Sequence, residues 1–139
     1  MKNTPVSGIS DLFPTCLQGH TVTLHTHILE GGNALSSFRT RQLLSQLQAL
    51  CPDITGLQGQ FVHLVASETA ISSAQTEILQ QLLTYGDPAV SLPSAHHVLN
   101  VIVSPRLGTV SPWASKATDI AHNCGLAVRR IERLIEYVL

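Results

Sequence analysis

The feature that most constrains this 139-residue chain is an alternation of short β-prone runs with helix-period runs, each boundary marked by Gly, Pro or a capping side chain. Val22, Leu24 and Ile28 fall at even positions among Thr and His. Successive strand side chains face opposite sides, so this spacing predicts a half-buried strand. Glu30-Gly31-Gly32-Asn33 then reads as a turn. Leu35, Phe38, Leu43, Leu44, Leu47 and Leu50 fit one face of a helix, which Asn33 or Ser36 caps and Pro52 ends. Residues 61–65, rich in Phe and Val, predict a second strand. Ser72 and Gln75 have the spacing of a capping box. The helix they open carries Ile71, Ile78, Leu79, Leu82 and Leu83 on one face. Gly86 suits the left-handed position after its end, and Pro88 blocks continuation.

Residues 87–95 read as a loop, and 98–103 as a buried strand, apolar except for Asn100. A turn over 104–110 follows. Ser111-Pro112 then sets a capping hydroxyl and a first-position proline before a third helix. Trp113, Ala117, Ile120, Ala121 and Cys124 share its face, and Gly125 closes it. In the last segment Val128, Ile131, Leu134, Ile135 and Val138 match a helical period, yet its Val and Ile content suits a strand. Pattern slightly favours helix there.

This order predicts an α/β (α+β) fold: two strand-helix-strand units giving an antiparallel or mixed sheet covered by helices. The length suits one domain, over 21–139, after a flexible leader over 1–20 rich in Ser, Thr, Gly and Pro. Only 12% of residues are charged, about half the globular norm, which fits a surface partly covered by another domain. A net charge of −1, no basic run and 4% aromatics argue against nucleic-acid binding. No apolar run approaches the roughly 18 residues of a membrane span, and the first residues do not form a secretory signal. Cys16, Cys51 and Cys124 have neither disulfide nor zinc spacing. A cytoplasmic protein without membrane contact is the expectation.

Residues 104–125 gather Arg106, Ser111, Ser115, Lys116, Asp119, His122 and Cys124 around one helix. Its start offers free N–H groups and positive potential, a plausible phosphate-ligand site. The plainer reading is a cap at Ser111 with solvated cations. His122 and Cys124 point roughly 200° apart on a helix, which speaks against a Cys–His hydrolase pair. Asp119 and His122 are spaced to pair locally, and Cys124 reads as a small buried residue. His25 and His27 share a strand face and His96-His97 precede another, but no metal pattern accompanies them. His63 reads as a core-edge histidine with a backbone partner. Arg39 and Arg41 read as solvent-facing. Trp113 reads as a core anchor or an interdomain contact. Neither a glycine-rich phosphate loop nor a GxSxG elbow is present.

The run Gly108-Thr109-Val110-Ser111-Pro112-Trp113-Ala114-Ser115-Lys116-Ala117-Thr118-Asp119-Ile120-Ala121-His122-Asn123-Cys124-Gly125-Leu126 resembles a hallmark of the large single-chain phosphoribosylformylglycinamidine synthases, the formylglycinamide ribonucleotide amidotransferases. Val103-Ser104-Pro105-Arg106, Arg130-Ile131-Glu132-Arg133 and Gly32-Asn33-Ala34-Leu35-Ser36-Ser37-Phe38-Arg39 resemble flanking family segments. The likeness covers roughly Leu29 to Leu139 and extends to about the end of the family's first domain. That domain resembles a pair of the small subunits of the multi-subunit enzyme. The resemblance implies a non-catalytic assembly domain, inactive alone, whose partners are the synthetase and glutaminase domains of the same enzyme. ATP and magnesium belong to the parent synthetase region, with no cofactor, metal or catalytic residue in this chain. Arg106, Ser111, Trp113, Ser115, Lys116, Asp119 and His122 are the candidate interdomain or ligand contacts. The family carries Gly after the Ile-Glu-Arg run, where this chain has Leu134. The resemblance favours strand over 128–139.

Overall fold

The computed structural model describes residues 23–89 and 98–139. The leader over 1–20, Val22, most of the 87–95 loop, and His96 and His97 lie outside the described residues. Within them the order is β1 (His25–Asn33), α1 (Ser37–Leu50), β2 (Gln58–Ser67), α2 (Ser73–Leu83), β3 (Asn100–Val103), α3 (Pro112–Asn123) and β4 (Val128–Val138). The strands form one sheet, β1-β2-β4-β3, with every neighbouring pair antiparallel. Two strand-helix-strand units are therefore present, β1-α1-β2 and β3-α3-β4. They join through their inner strands, from Gln58↔Val138 to Ser67↔Val128.

Strand alternation sorts the residues into two faces. Leu29, Val65, Ile131 and Val128 meet Leu79 and Leu83 of α2, Ala121 of α3 and Leu126 in the main core. Ile28, Leu64, Glu132 and Leu134 take the other face, as the pairs Ile28↔Leu64 and Leu64↔Glu132 require. The even-position reading of β1 is thus reversed. Ile28 is 52% exposed, and Leu29 is the buried residue. Nor do Gly31 and Gly32 make a turn. They lie in β1, beside a register shift between Glu30 and Asn33. A methyl group on Gly32 would sit 2.5 Å from the Tyr85 carbonyl oxygen and 2.6 Å from that of Asp87. Glycine is needed there for close approach, and Asn33 N–H then donates to Asp87 O at 2.7 Å.

Local capping follows the sequence closely. Ser36 caps α1 by accepting from Arg39 N–H. Ser72 and Gln75 form the reciprocal capping box of α2. At the start of α3, Ser111 Oγ accepts from Ala114 N–H at 3.0 Å. Gly125, with φ of 76°, ends α3. Its N–H donates to His122 O, and Leu126 N–H donates to Ala121 O, the paired bonds of a Schellman ending. Helix α2 differs: Thr84 ends it in extended conformation, and Gly86 turns the chain two residues later.

Burial departs further from the expected faces. Helix α1 buries none of its residues; Phe38 and Leu50 are open to solvent, and only Leu35 before it is buried. Arg39 and Arg41 are exposed as expected. On α2, Leu79 and Leu83 are buried while Ile78 faces out. Helix α3 is rotated from the expected stripe. Ala114 and Ala121 are fully buried, whereas Ile120 and Cys124 are exposed. Small residues let this helix lie close to β4. Thr118 Oγ1 accepts from Ile131 N–H at 3.0 Å and donates to Ala114 O. Strand β3 is not buried: it is a margin strand, exposed throughout. The last segment is strand, not helix. β4 lies between β2 and β3 and buries residues of both faces, including Ile131, Glu132 and Leu134. Burial on both faces removes strict alternation and mimics a helical period. The strand passes through Leu134 in register with Val62, and its irregularity lies instead near Val128.

Candidate functional site

Two side-chain clusters flank β4, one on each face. On the helix side, β2 contributes Phe61 and His63, and β4 contributes Arg133 opposite His63. The segment after α2 adds Tyr85, and the first turn of α3 adds Trp113. The Arg133 guanidinium carbon lies 4.6 Å from the centre of the Phe61 ring and 4.6 Å from that of Trp113. Trp113 stacks on His63 at 5.5 Å, and Tyr85 meets His63 edge-on at 5.6 Å. Arg133 donates to the Tyr85 hydroxyl at 3.2 Å, and that hydroxyl lies 3.0 Å from His63 Nε2. The Tyr85 oxygen accepts from Arg133, so its own proton is free for Nε2. That order places the imidazole proton on Nδ1.

His63 is fully buried. Burial, then the neighbouring Arg133 charge, pushes its pKa down to about 4. The ring is neutral at physiological pH and closed to solvent. It is deeper than the core-edge position expected; the expected backbone partner is Leu29, and the Tyr85 hydroxyl adds a side-chain partner. Gly31 belongs to the same arrangement, because a methyl there would lie 2.6 Å from His63 Cε1.

A pH dependence follows. Below an ordinary histidine pKa of about 6.5 the unfolded chain gains a proton that folded His63 refuses until about pH 4. Stability therefore falls as pH drops through this window, by about 3 kcal/mol in full. Urea unfolding at several pH values is expected to show that slope, and His63→Phe to flatten it. An unchanged slope in the variant would discard the assignment. His27, also shifted down by burial and then by His25, adds a change of the same sign.

Beside this cluster runs a groove of about 210 Å³ between α2 and α3, lined among others by Leu82, Tyr85, Trp113, Lys116 and Ile120. On the other sheet face Arg130 donates to Glu132 Oε1 through Nε at 2.8 Å and through Nη2, and Nη2 also reaches Thr109 O at 2.7 Å. Glu132 Oε2 is buried with no partner among the described residues. The Glu132 residue borders a pocket of about 20 Å³ lined also by Pro105, Arg106 and Gly108, room for about one water molecule.

The candidate contacts are thus divided. Trp113 and Lys116 line the helix-side groove, whereas Arg106 lies at the Glu132 pocket across the sheet. The Ser111 hydroxyl is engaged in the cap, and Ser115 Oγ donates to Ser111 O at 3.5 Å. Asp119 is exposed and does not pair with His122. His122 Nε2 lies instead 2.6 Å from Val128 O. His122 thereby ties the end of α3 to the start of β4, a contact that helical spacing does not reveal. Tyr85, Phe61 and Arg133 were absent from the candidates. The one available signal was a large cation on the apolar face of a strand.

Among the described residues no group of three or more His, Cys, Asp or Glu is placed to hold a metal. No described helix is long and apolar enough to cross a membrane. Residues 60–139 match the family model described as formylglycinamide ribonucleotide amidotransferase N-terminal.

Proposed function

Because this chain belongs to the N-terminal domain family of the formylglycinamide ribonucleotide amidotransferases, we propose that it is a non-catalytic assembly domain. The parent enzyme converts formylglycinamide ribonucleotide to its amidine with ATP, magnesium and glutamine, a step of purine synthesis. In this reading the chain packs against the parent's synthetase and glutaminase domains and is inactive by itself. The observation that carries it is α1. This 14-residue helix leaves Phe38, Leu43 and Leu50 exposed and buries none of its residues. Burying one such side chain is worth about 1.5–3 kcal/mol, a strong drive toward a covering body. Lys116 and Asp119, exposed on α3, supply charges to orient such a contact.

The test is reconstitution. Adding this chain to a parent enzyme lacking its first domain is expected to restore glutamine-dependent amidine formation. Leu50→Glu, at an exposed position, is expected to weaken the complex about tenfold or more without changing the melting temperature of the chain. A remainder that is fully active alone and ignores the added chain would end the assembly reading. Tight phosphate or nucleotide binding by the chain alone, abolished by Ser111→Ala, would favour a phosphate-ligand module instead.

A further inference from the structure

We infer that the groove between α2 and α3 is a docking site for the parent enzyme's other domains, and that its occupant is a large apolar side chain next to a carboxylate. The inference rests on the assembly reading above. It adds a second contact to that reading, because no residue of α1 lines the groove. The walls include Leu82 of α2 and Trp113, Ala117 and Ile120 of α3. These three and Lys116 recur at three- and four-residue spacing, so they share one helix face. The buried Ile131 of β4 also lines the groove.

The site is preformed. Trp113 stacks on His63 and lies against the Arg133 guanidinium. The Tyr85 hydroxyl is held between Arg133 and His63. Covering this wall leaves that hydroxyl paired, and little ordering is needed on binding. Ile120 is 41% exposed and gains cover from an inserted side chain. Two donors remain. Neither the Lys116 ammonium nor the Trp113 indole N–H has a partner among the described residues. They belong to residues one turn apart on α3. No acid lines the groove, Asp119 included. A single carboxylate complements both donors, and the apolar walls take the side chain beside it.

Other occupants fit less well. At about 210 Å³ the groove falls below the roughly 300–1,000 Å³ of small-molecule pockets. A second copy meeting it groove to groove across a two-fold axis would set Lys116 against Lys116. One lysine is too small a footprint for a phosphate backbone. A surface segment of a partner domain supplies both the anchor and the carboxylate, and a few such anchors carry most of an interface's energy. The family to which the chain belongs is one domain of an amidotransferase, which makes that enzyme's other domains the natural source.

Carbodiimide coupling of the reconstituted enzyme reads the contact directly, because it joins an amine only to a carboxylate that touches it. The chain has two lysines, Lys2 and Lys116, so the coupled peptides are unambiguous. Lys116 is expected to couple to an Asp or Glu of the parent's other domains that adjoins a large apolar residue. Lys116→Arg is expected to lose the coupling and keep the affinity. Lys116→Glu, and Ile120→Glu on the exposed wall, are each expected to weaken the complex about tenfold or more while the melting of the chain stays unaltered. If both leave the affinity unchanged while Leu50→Glu lowers it, the groove is not a docking site and the assembly reading stands on α1. A Lys116 that couples to no acid of the other domains, or to Asp11 or a second copy instead, also overturns the inference. A chain that forms no complex at all ends both readings.

Discussion

Trp113→Ala is expected to destabilise the chain by about 3 kcal/mol, measured by urea unfolding at neutral pH. Large aromatic-to-alanine changes cost about 3–5 kcal/mol in a core, and the partial exposure of Trp113 places it near the lower end. The loss has two parts. The stack on His63 disappears, and Arg133 loses one of the two rings that flank its guanidinium. A cation over an aromatic face is worth about 0.5–2 kcal/mol, depending on desolvation. Trp113→Phe keeps a ring for Arg133 and is expected to lose about half as much. If Trp113→Ala lost less than about 1 kcal/mol, the range of a neutral surface change, the cluster would not be holding α3 to the sheet.

Glu132→Ala is expected to have an effect of similar size on the opposite face, about 3 kcal/mol. Removing one partner of a buried ion pair costs about 3–5 kcal/mol, because the other charge is left uncompensated. The Arg130 and Glu132 side chains are only 20% and 10% exposed, so solvent cannot take over the lost contact fully. Arg130 keeps its bond to Thr109 O, which limits the damage. The double change Arg130→Met with Glu132→Leu removes both charges and is expected to recover much of the loss. A double-mutant cycle separates the pair's coupling from the individual costs. Additive single effects would show that the two side chains act independently and that the ion pair is incidental.

The ends of the helices were legible in the sequence, and the reason is distance along the chain. Ser111 reaches Ala114 N–H, and Ser72 reaches Gln75, each within one turn. Gly125 ends α3 with bonds to the turn just before it. Such interactions need no knowledge of the sheet. The two strand-helix-strand units and the family resemblance were also legible, since both reside in the order of residues. The long run from Gly108 to Leu126 carried the family, and the match over 60–139 agrees with it.

Faces and neighbours were a different matter. β3 and β4 are both rich in Val and Ile, yet β3 is exposed at the margin and β4 is buried between two strands. Nothing within either segment states how many neighbours it will have. Ile28 and Leu29 exchange faces on one step of register, and register is set by pairing with β2. The apolar pattern of α1 announces a helix but not a covering surface. His63, Tyr85, Trp113 and Arg133 span three elements and the segment after α2, and they meet only when β2 pairs with β4 and α3 folds back over them. The sequence by itself determined the local elements, their order and the family. The tertiary structure alone decided which residues are buried and which distant side chains touch, because burial and contact depend on pairings across the chain rather than within one turn.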